Sequence, residues 1–295
     1  MTAPLFIPMP GNEAAARALA TTLGIALGQL ELRAFPDGET YMRFDSDLLG
    51  RSLAIVCTLD RPNDKILPLL FAAAAAKDLS ATKVGLVAPY LAYMRQDRRF
   101  KPGEAVTSRE MAQLLSDAFD WMVTVDPHLH RYSSLSEIYR IPTRVVHAAS
   151  LMAEWIKANV PKALIIGPDS ESEQWVSLVA KDAGVPYTVL EKVRRGDRDV
   201  EISISKLVDL GDRTPVFVDD IISTGRTMRE AIRQIKARGH AAPVCVAVHG
   251  LFTADAYEAL IRDGARVVTC NTVPHPSNAI DVQCAVGAAV RRLLS

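Results

Sequence analysis

The sequence predicts an α/β fold, in which helices cover both faces of mostly parallel sheets. Short apolar runs rich in β-branched residues alternate along the chain with longer stretches of helical periodicity. Alternating strands and helices are typical of a parallel sheet, because a helix makes the connection back to the next strand. The predicted strands are almost continuously apolar, as strands covered on both faces are. With 295 residues, the chain is long enough for two domains of ordinary size.

In the first half of the chain the sequence predicts a series of strands, most of them followed by a helix. The predicted strands share a β-branched, apolar body and span residues 5–8, 52–59, 83–90 and 121–128. The predicted helices share apolar residues at helical spacing and span residues 12–23, 63–78 and 108–119. This order predicts one parallel sheet in the first half.

The second half repeats the order of strands and helices. Its predicted strands span residues 163–169, 185–191, 214–220, 243–250 and 265–271. Its predicted helices span residues 171–183, 227–238, 255–263 and 282–294. Gly239 follows the second of these helices, as a C-terminal cap does. Parallel sheets bind ligands beyond the carboxyl ends of their strands. The candidate binding loops are therefore those that begin at Tyr90, His128, Asp169 and Asp219.

The charge balance excludes two classes of partner. Lysine and arginine together number 34, as do aspartate and glutamate, so the formal net charge is zero. A neutral chain lacks the bulk positive charge with which proteins coat nucleic acid or anionic membranes, and the sequence predicts neither partner. An anionic small molecule remains a candidate ligand, because a few well-placed cations suffice to bind it.

The apolar segments predict neither a membrane span nor a secretion signal. The longest apolar run, residues 66–76, contains Pro68 and has about half of the ~20 residues that a transmembrane helix needs. The N-terminus has neither a basic segment nor a long apolar core. The four cysteines form no CxxC pair, which is typical of reduced structural thiols. The sequence therefore predicts a cytoplasmic protein.

The most informative motif is VFVDDIISTGRTM at residues 216–228, which runs from a strand through a turn of small residues into a helix. The N–H groups and hydroxyls of such a turn, at a helix N-terminus, bind a phosphate dianion. Asp219 and Asp220, at the end of the strand, can accept hydrogen bonds from a diol. Phosphate and diol binding at this spacing suit a ribose 5-phosphate moiety, whereas one acid and one threonine alone would predict only a helix cap.

This string resembles the phosphoribosyl-diphosphate binding motif of the phosphoribosyltransferase superfamily. Many members carry Asp-Thr-Gly-Gly-Thr at these positions, whereas this chain has Ser223 in the first place and Arg226 in the fourth. Ser223 removes a carboxylate. Arg226 replaces a glycine, so it either opposes a left-handed backbone at this point or adds a cation near the phosphate.

Three further motifs are ambiguous when each is considered alone. FPDGE at residues 35–39 predicts a turn. RQDRR at residues 95–99, followed by FKPGE, predicts either a cationic binding loop or a solvated one. EKVRRGDR at residues 191–198 predicts an exposed charged hairpin.

Two more motifs place candidate metal ligands at strand ends. VTVDPH ends at His128, and GPD places Asp169 at the corresponding edge of the second half. A histidine and an aspartate on such loops could share one Mg²⁺, directly or through water. The other histidines have no metal-ligand spacing with one another and are predicted to be structural: His130, His147, His240, His249 and His275.

In this order, FPDGE, RQDR, VDPH, GPD, LEKVR and VDDIISTG resemble the ribose-phosphate diphosphokinases (phosphoribosyl pyrophosphate synthetases) over residues 35–272. FKPGE and STG are more similar to the archaeal-type branch of that family. The resemblance implies two phosphoribosyltransferase-like domains, each a mostly parallel sheet flanked by helices. The implied domains are residues 1–144 and 145–279, with the C-terminal helix 280–295 returning to the first.

The resemblance also implies roles for individual residues. The ATP-binding residues would be Phe35, Asp37, Glu39, Arg95, Gln96 and Arg98. The residues that bind ribose 5-phosphate would be Asp219, Asp220, Ser223, Thr224, Gly225, Arg226 and Thr227. His128 and Asp169 would organise Mg²⁺, and Lys192 and Arg194 would be the catalytic residues that reach the transferred group.

The implied reaction transfers the β,γ-diphosphoryl group of MgATP to the anomeric hydroxyl of ribose 5-phosphate, giving phosphoribosyl diphosphate and AMP. Phe35 would stack on the adenine from a neighbouring subunit, so a homodimer or a higher homo-oligomer is expected. One alternative is a phosphoribosyltransferase that uses phosphoribosyl diphosphate and a nucleobase. The other is a non-catalytic synthetase-associated subunit. The substitutions Ser223 and Arg226 are compatible with this alternative, whereas the presence of Lys192 and Arg194 argues against it.

Overall fold

The structure, a computed structural model, describes residues 2–168, 172–194, 200–203 and 210–294. The chain divides into two compact units, of which one is Met1–Val146 with Gln283–Ser295 and the other is His147–Val282. Each unit contains one six-stranded sheet in which every pairing is parallel. The predicted α/β class with parallel sheets is therefore confirmed.

The first unit combines its sheet with a hairpin and four helices. Its sheet strands are β1 (Leu5–Pro8), β2 (Ala26–Leu27), β5 (Ser52–Val56), β6 (Lys83–Ala88), β7 (Trp121–Val125) and β8 (Thr143–Val146). Its hairpin strands are β3 (Leu30–Ala34) and β4 (Thr40–Phe44). Its helices are α1 (Glu13–Leu23), α2 (Asn63–Asp78), α3 (Thr107–Ala118) and α8 (Gln283–Leu294), with a short 3-10 helix at Leu135–Glu137.

The described residues of the second unit also form a sheet, a hairpin and four helices. Its sheet strands are β9 (Ala163–Gly167), β10 (Tyr187–Val189), β13 (Thr214–Ile222), β14 (Val244–Gly250), β15 (Arg266–Cys270) and β16 (Asn278–Ile280). Its hairpin strands are β11 (Glu191–Arg194) and β12 (Val200–Ser203). Its helices are α4 (Ala149–Asn159), α5 (Glu173–Ala183), α6 (Arg226–Ala237) and α7 (Ala256–Arg262).

Both sheets have the same strand order. It is β2-β1-β5-β6-β7-β8 in the first unit and β10-β9-β13-β14-β15-β16 in the second. In each unit, an antiparallel hairpin lies between the second and third sheet strands in chain order. This hairpin is β3–β4 in the first unit and β11–β12 in the second. The FPDGE motif lies in the turn of one hairpin and the EKVR motif forms the first strand of the other, so the two motifs belong to corresponding hairpins, although the sequence shows no repeat.

Several elements were not predicted from the sequence. They are the edge strands β2, β8 and β16, the hairpin strands β3, β4 and β12, and helix α4. The predicted strand 185–191 is interrupted at Leu190, so that its end belongs to the β11 hairpin, and the predicted strand 52–59 ends at Val56. Edge and hairpin strands of two to five residues carry too little apolar periodicity to be identified by pattern alone.

Close packing within the first unit explains one glycine and the position of the last helix. Gly85 on β6 pairs with Trp121 on β7, and a Cβ at Gly85 would lie 1.9 Å from Trp121 Cε2. Because Trp121 is fully buried, only glycine allows this pairing. Helix α8 packs on α1, β7 and β8, and Lys83 Nζ donates to the Leu293 carbonyl at 2.9 Å.

Among the described residues, no helix is both long and apolar enough to span a membrane. Cys57, which directly follows β5 in the first unit, and Cys245, on β14 of the second, are both buried. Burial raises the pKa of each thiol to about 12. Both thiols therefore stay protonated near neutral pH, so neither is a ready nucleophile.

Candidate active site

The FPDGE motif forms the turn between β3 and β4. Phe35 N–H donates to the Glu39 carbonyl (2.7 Å), and Gly38 N–H donates to the Phe35 carbonyl (2.9 Å). Asp37 Oδ1 accepts a further hydrogen bond from Glu39 N–H (3.2 Å). These bonds fix the turn, so Phe35, Asp37 and Glu39 are displayed together at the tip of one hairpin.

The Phe35 ring is held by its neighbours but stays accessible. The Tyr41 ring lies edge-on to it, with 5.9 Å between the centroids. The Arg33 guanidinium carbon lies 3.9 Å from the Tyr41 ring centroid and 5.1 Å from the Phe35 ring centroid. Phe35 is nevertheless 40% exposed. An exposed aromatic ring in a fixed orientation is suited to stacking on a nucleobase.

The cationic segment that follows β6 does not face solvent throughout. Arg95 and Arg98 are exposed, Gln96 is half-buried, and Asp97 between them is buried. Asp97 forms an ion pair with Arg131, a residue of the segment that follows β7. This ion pair could not be predicted from the sequence, because an acid within a basic string resembles a solvated charge.

His128 lies just after β7 and is half-buried. Its ring lies against that of His130, with 3.9 Å between the centroids. Asp126, which precedes this segment, has a φ of +30°, a value that a non-glycine residue rarely adopts and that often marks a functional loop. Asp169, the other predicted metal ligand, lies outside the described residues.

The two acids of the second unit lie within β13, which extends two residues beyond its predicted end, to Ile222. Asp219 and Asp220 are both half-buried. Asp219 aligns with Ala247 on β14, and its Oδ1 accepts a hydrogen bond from Asp220 N–H (3.0 Å). Both carboxylates therefore lie near the carboxyl end of a central strand, where parallel sheets bind ligands.

The turn from β13 into α6 shows whether Arg226 stands at a left-handed position. The left-handed residue is Gly225, with φ +62°, and Arg226 is the first residue of α6. Arg226 therefore needs no left-handed backbone. The first bond across this helix start runs from Arg229 N–H to the Gly225 carbonyl (2.8 Å). The N–H groups of the preceding helical residues have no carbonyl of their own helix to donate to, so they are available to an anion.

A loop after β14 supports this turn from behind. Leu251 N–H and Phe252 N–H both donate to the Ile222 carbonyl (3.0 and 3.2 Å), and Thr253 N–H donates to the Ser223 carbonyl (3.1 Å). Phe252 adopts a φ of +35°, which is unusual for a bulky residue. The start of the candidate phosphate loop is thus fixed by three backbone hydrogen bonds.

His275 packs under that supporting loop. Its ring lies 4.4 Å from the Phe252 ring and 4.7 Å from the Tyr257 ring. Ser277 N–H donates to His275 Nδ1 (3.2 Å), so Nδ1 is an acceptor and the neutral ring carries its proton on Nε2. Burial lowers the pKa of His275, against the opposing charge of Glu258. His275 is therefore neutral near pH 7, and its contacts indicate a structural role.

Ionic contacts hold α6 against the end of α7. Arg229 Nε lies 2.7 Å from Asp263 Oδ2, Arg233 Nε lies 3.4 Å from Asp263 Oδ1, and Lys236 Nζ donates to the Asp263 carbonyl at 2.8 Å. Burial raises the pKa of Asp263, but the hydrogen bond and charge of Arg229, with the charge of Arg233, outweigh it and lower the pKa overall. This cluster fixes the helix that carries the candidate phosphate loop.

Lys192 and Arg194 both belong to strand β11. In the hairpin, Lys192 aligns with Ile202 and Arg194 with Val200 on β12. The backbone of the two predicted catalytic residues is therefore part of a regular antiparallel pair.

Comparisons with known proteins cover both units. A family model of the N-terminal domain of ribose phosphate pyrophosphokinase matches residues 6–118, and one of the phosphoribosyl transferase domain matches residues 134–286. The chain is 34% identical over 281 residues to a ribose-phosphate pyrophosphokinase of Methanopyrus kandleri, covering 94% of this chain and 95% of that protein. It is 32% identical over 281 residues to one of Sulfurisphaera tokodaii, covering 93% and 95%.

A solved structure supports the fold independently. The crystal structure of phosphoribosylpyrophosphate synthetase from Mycobacterium smegmatis matches this structure with a TM-score of 0.86, over 98% of each chain and at 24% sequence identity. The prediction of two phosphoribosyltransferase-like folds, each with a mostly parallel sheet, is confirmed by this match and by the two family models.

Proposed function

The chain belongs to the ribose-phosphate pyrophosphokinase family, and from that premise we propose how its own residues carry out the family's reaction. The anomeric oxygen of ribose 5-phosphate forms a bond to the β-phosphorus of ATP. The bond from that phosphorus to the oxygen it shares with the α-phosphate breaks, and AMP leaves with this oxygen. The proton of the anomeric hydroxyl is released to water. The product is phosphoribosyl diphosphate.

The observation that carries the proposal for ribose 5-phosphate is the turn from β13 into α6. Gly225 turns the chain so that the helix N-terminus follows at once, which suits a 5-phosphate dianion. The acids Asp219 and Asp220, near the end of the same strand, suit the ribose hydroxyls. The full set proposed for ribose 5-phosphate is Asp219, Asp220, Ser223, Thr224, Gly225, Arg226 and Thr227.

For ATP, we assign the base and the phosphates to different segments of the first unit. The exposed Phe35 ring stacks on adenine, and Asp37 and Glu39 at the same turn contact the base. The exposed guanidinium groups of Arg95 and Arg98, with Gln96, bind the phosphates, because guanidinium groups match phosphate geometry.

Mg²⁺ fits this donor set through water as well as directly. Mg²⁺ keeps several of its waters and prefers oxygen ligands, and the half-buried His128 ring can meet such a water with a ring nitrogen. We assign His128 and Asp169 to this ion. When bound, Mg²⁺ neutralises charge on the phosphoryl oxygens.

Lys192 and Arg194 act on the transferred group in this proposal. Charge spreads over the phosphoryl oxygens during the transfer, so catalysis consists mainly of alignment and electrostatic stabilisation. Lys192 and Arg194 are two positions apart in the backbone of β11, and two neighbouring cations suit the charge of one transferred group. We also propose that the protein is cytoplasmic and self-associates as a homodimer or a higher homo-oligomer, with Phe35 reaching the ATP of a neighbouring subunit.

The experiment that tests the reaction supplies purified protein with MgATP and ribose 5-phosphate and resolves the products by mass spectrometry. The proposal predicts AMP and phosphoribosyl diphosphate in equal amounts. ADP with a ribose bisphosphate would mean transfer of a single phosphoryl group and would contradict it. A second reaction, with preformed phosphoribosyl diphosphate and a nucleobase, tests for the transferase alternative, and release of diphosphate there would favour that alternative.

A further inference from the structure

We propose that Arg131 is a positioning residue for the ATP-phosphate segment Arg95–Arg98, acting through Asp97. The proposal rests on the assignment of Arg95, Gln96 and Arg98 to ATP made above. Arg131 does not itself contact the substrate in this proposal. It holds the segment so that the two exposed arginines project from a fixed backbone.

The starting observation is the alternation of burial within the segment. Arg95 and Arg98 are exposed, whereas the Asp97 side chain between them is only 1% exposed. A carboxylate taken out of water is strongly destabilising unless a cation or hydrogen-bond donors meet it. The one acid in a string of cations therefore has to be anchored from inside the unit.

Arg131 supplies that anchor. Its Nη1 atom lies 3.0 Å from each of the two carboxylate oxygens of Asp97. Arg131 follows β7, whereas Asp97 follows β6, so the contact joins two neighbouring strand-end segments. His128 belongs to the same segment as Arg131, so the pair also connects the ATP-phosphate segment to the candidate metal ligand.

Two further hydrogen bonds fix the same stretch of backbone. Tyr132 OH donates to the Asp97 carbonyl at 3.1 Å, and Ser108 N–H donates to the Gln96 carbonyl at 3.3 Å. The Ser108 and Tyr132 hydroxyls lie 3.4 Å apart. The segment is thus attached at one side chain and two carbonyls, and Arg131 makes the only charged one of these three attachments.

Arg131 also touches the surroundings of Arg98. The guanidinium carbons of Arg131 and Arg98 lie 5.3 and 5.0 Å from the centroid of the Phe100 ring. Cations at such distances from an aromatic ring are attracted to it. The Phe100 ring therefore links the anchor to one of the two proposed phosphate ligands, and loss of Arg131 loosens Arg98 as well as Asp97.

The test compares Arg131→Met with a matched control, Arg140→Met. Arg140 also pairs with an aspartate, Asp117, in the same unit, but both partners are mainly exposed. We expect Arg131→Met to lower kcat/KM for ATP by between about 10-fold and 100-fold, because a misplacement of about 1 Å has effects of that size. The KM for ribose 5-phosphate should change by less than about twofold, and Arg140→Met should change neither constant.

A second variant keeps the test valid if the buried, unpaired Asp97 prevents Arg131→Met from folding. Asp97→Asn with Arg131→Met leaves no unpaired charge, so it should regain thermal stability, yet the loss in kcat/KM for ATP should persist. Arg131→Lys, which keeps a charged donor, should recover part of that loss. An equal change in both substrates' constants, or none in a folded variant, overturns the positioning role.

Arg95→Ala separates this inference from the assignment on which it rests. If Arg95→Ala raises the KM for ATP and Arg131→Met leaves kcat/KM for ATP unchanged, the positioning role is wrong and the proposed ATP site stands. If Arg95→Ala and Arg98→Ala leave the KM for ATP unchanged, the assignment of ATP to this segment fails, and the inference fails with it.

Discussion

Gly225→Ala is the substitution that probes the phosphate loop most sharply. Gly225 has φ +62°, and an added Cβ would lie 3.3 Å from Leu260 Cδ1. A left-handed backbone costs a residue with a Cβ roughly 1–2 kcal/mol. The Leu260 contact adds little, since the end of a leucine side chain can move by a few tenths of an ångström.

The variant can respond to this cost in two ways. If the loop stays left-handed, the free energy of unfolding of the variant falls. If the loop relaxes, it must return to the native shape before it binds phosphate, and the cost appears as weaker binding. Because Thr224 and Arg226 on either side are exposed, we expect the loop to relax. A difference of 1–2 kcal/mol then raises the KM for ribose 5-phosphate by about 5–30-fold. The KM for ATP should stay within about twofold.

Gly239→Ala is the matched control. Gly239 follows the other end of α6 with φ +78°, and no atom lies within 4 Å of an added Cβ. Gly239→Ala should lower the free energy of unfolding, measured with urea, by roughly 1–2 kcal/mol. It should leave the KM for ribose 5-phosphate unchanged. Initial rates give the KM for ribose 5-phosphate when this substrate is varied at saturating ATP, and the KM for ATP when ATP is varied at saturating ribose 5-phosphate. The reasoning is refuted if Gly225→Ala changes neither stability nor KM, or if Gly239→Ala raises the KM equally.

Two other variants test catalysis and the support of α6. Lys192→Ala should lower kcat by roughly 10²–10⁴, with little change in either KM, if Lys192 acts on the transition state; steady-state kinetics in which only a KM rises would contradict this. Asp263→Asn should lower the melting temperature at pH 7, because Asp263 loses its charged bond to Arg229. The pKa of Asp263 is lowered on folding, so its contribution is present above the ordinary pKa of about 3.9 and is lost as pH falls further. The gap between wild type and variant should therefore narrow as pH falls below about 3.9, and a gap that stays constant as the pH is lowered from 7 through this range would contradict this.

The elements that carry long apolar runs could be predicted from the sequence. Strands β6, β7 and β13 are buried almost throughout, so their sequences are mostly apolar, and the loops that follow them carry polar and charged residues. This pattern predicts both a parallel strand and its ligand-binding end. The turns in FPDGE and ISTGRT could also be predicted, because the residue preferences of a turn are local.

Features that depend on tertiary contacts were not predictable. The two hairpins β3–β4 and β11–β12 occupy the same place in their units, but their strands are too short to show a periodicity. Asp97 looks like one more solvated charge until Arg131, 34 residues further on, is found beside it. The backbone conformation of Arg226 depends on where α6 begins. Because α6 begins at Arg226, the left-handed residue is Gly225, and the sequence does not fix this boundary to one residue.

In the proposed site, the phosphates of ATP bind to the first unit and the phosphate of ribose 5-phosphate binds to the second. The most direct test measures both KM values in two variants, Arg95→Ala and Thr227→Val. We expect a crossed result, in which Arg95→Ala raises the KM for ATP at least about tenfold and Thr227→Val raises the KM for ribose 5-phosphate, each with little effect on the KM for the other substrate. A reversed result, or equal changes in both constants for either variant, would contradict it.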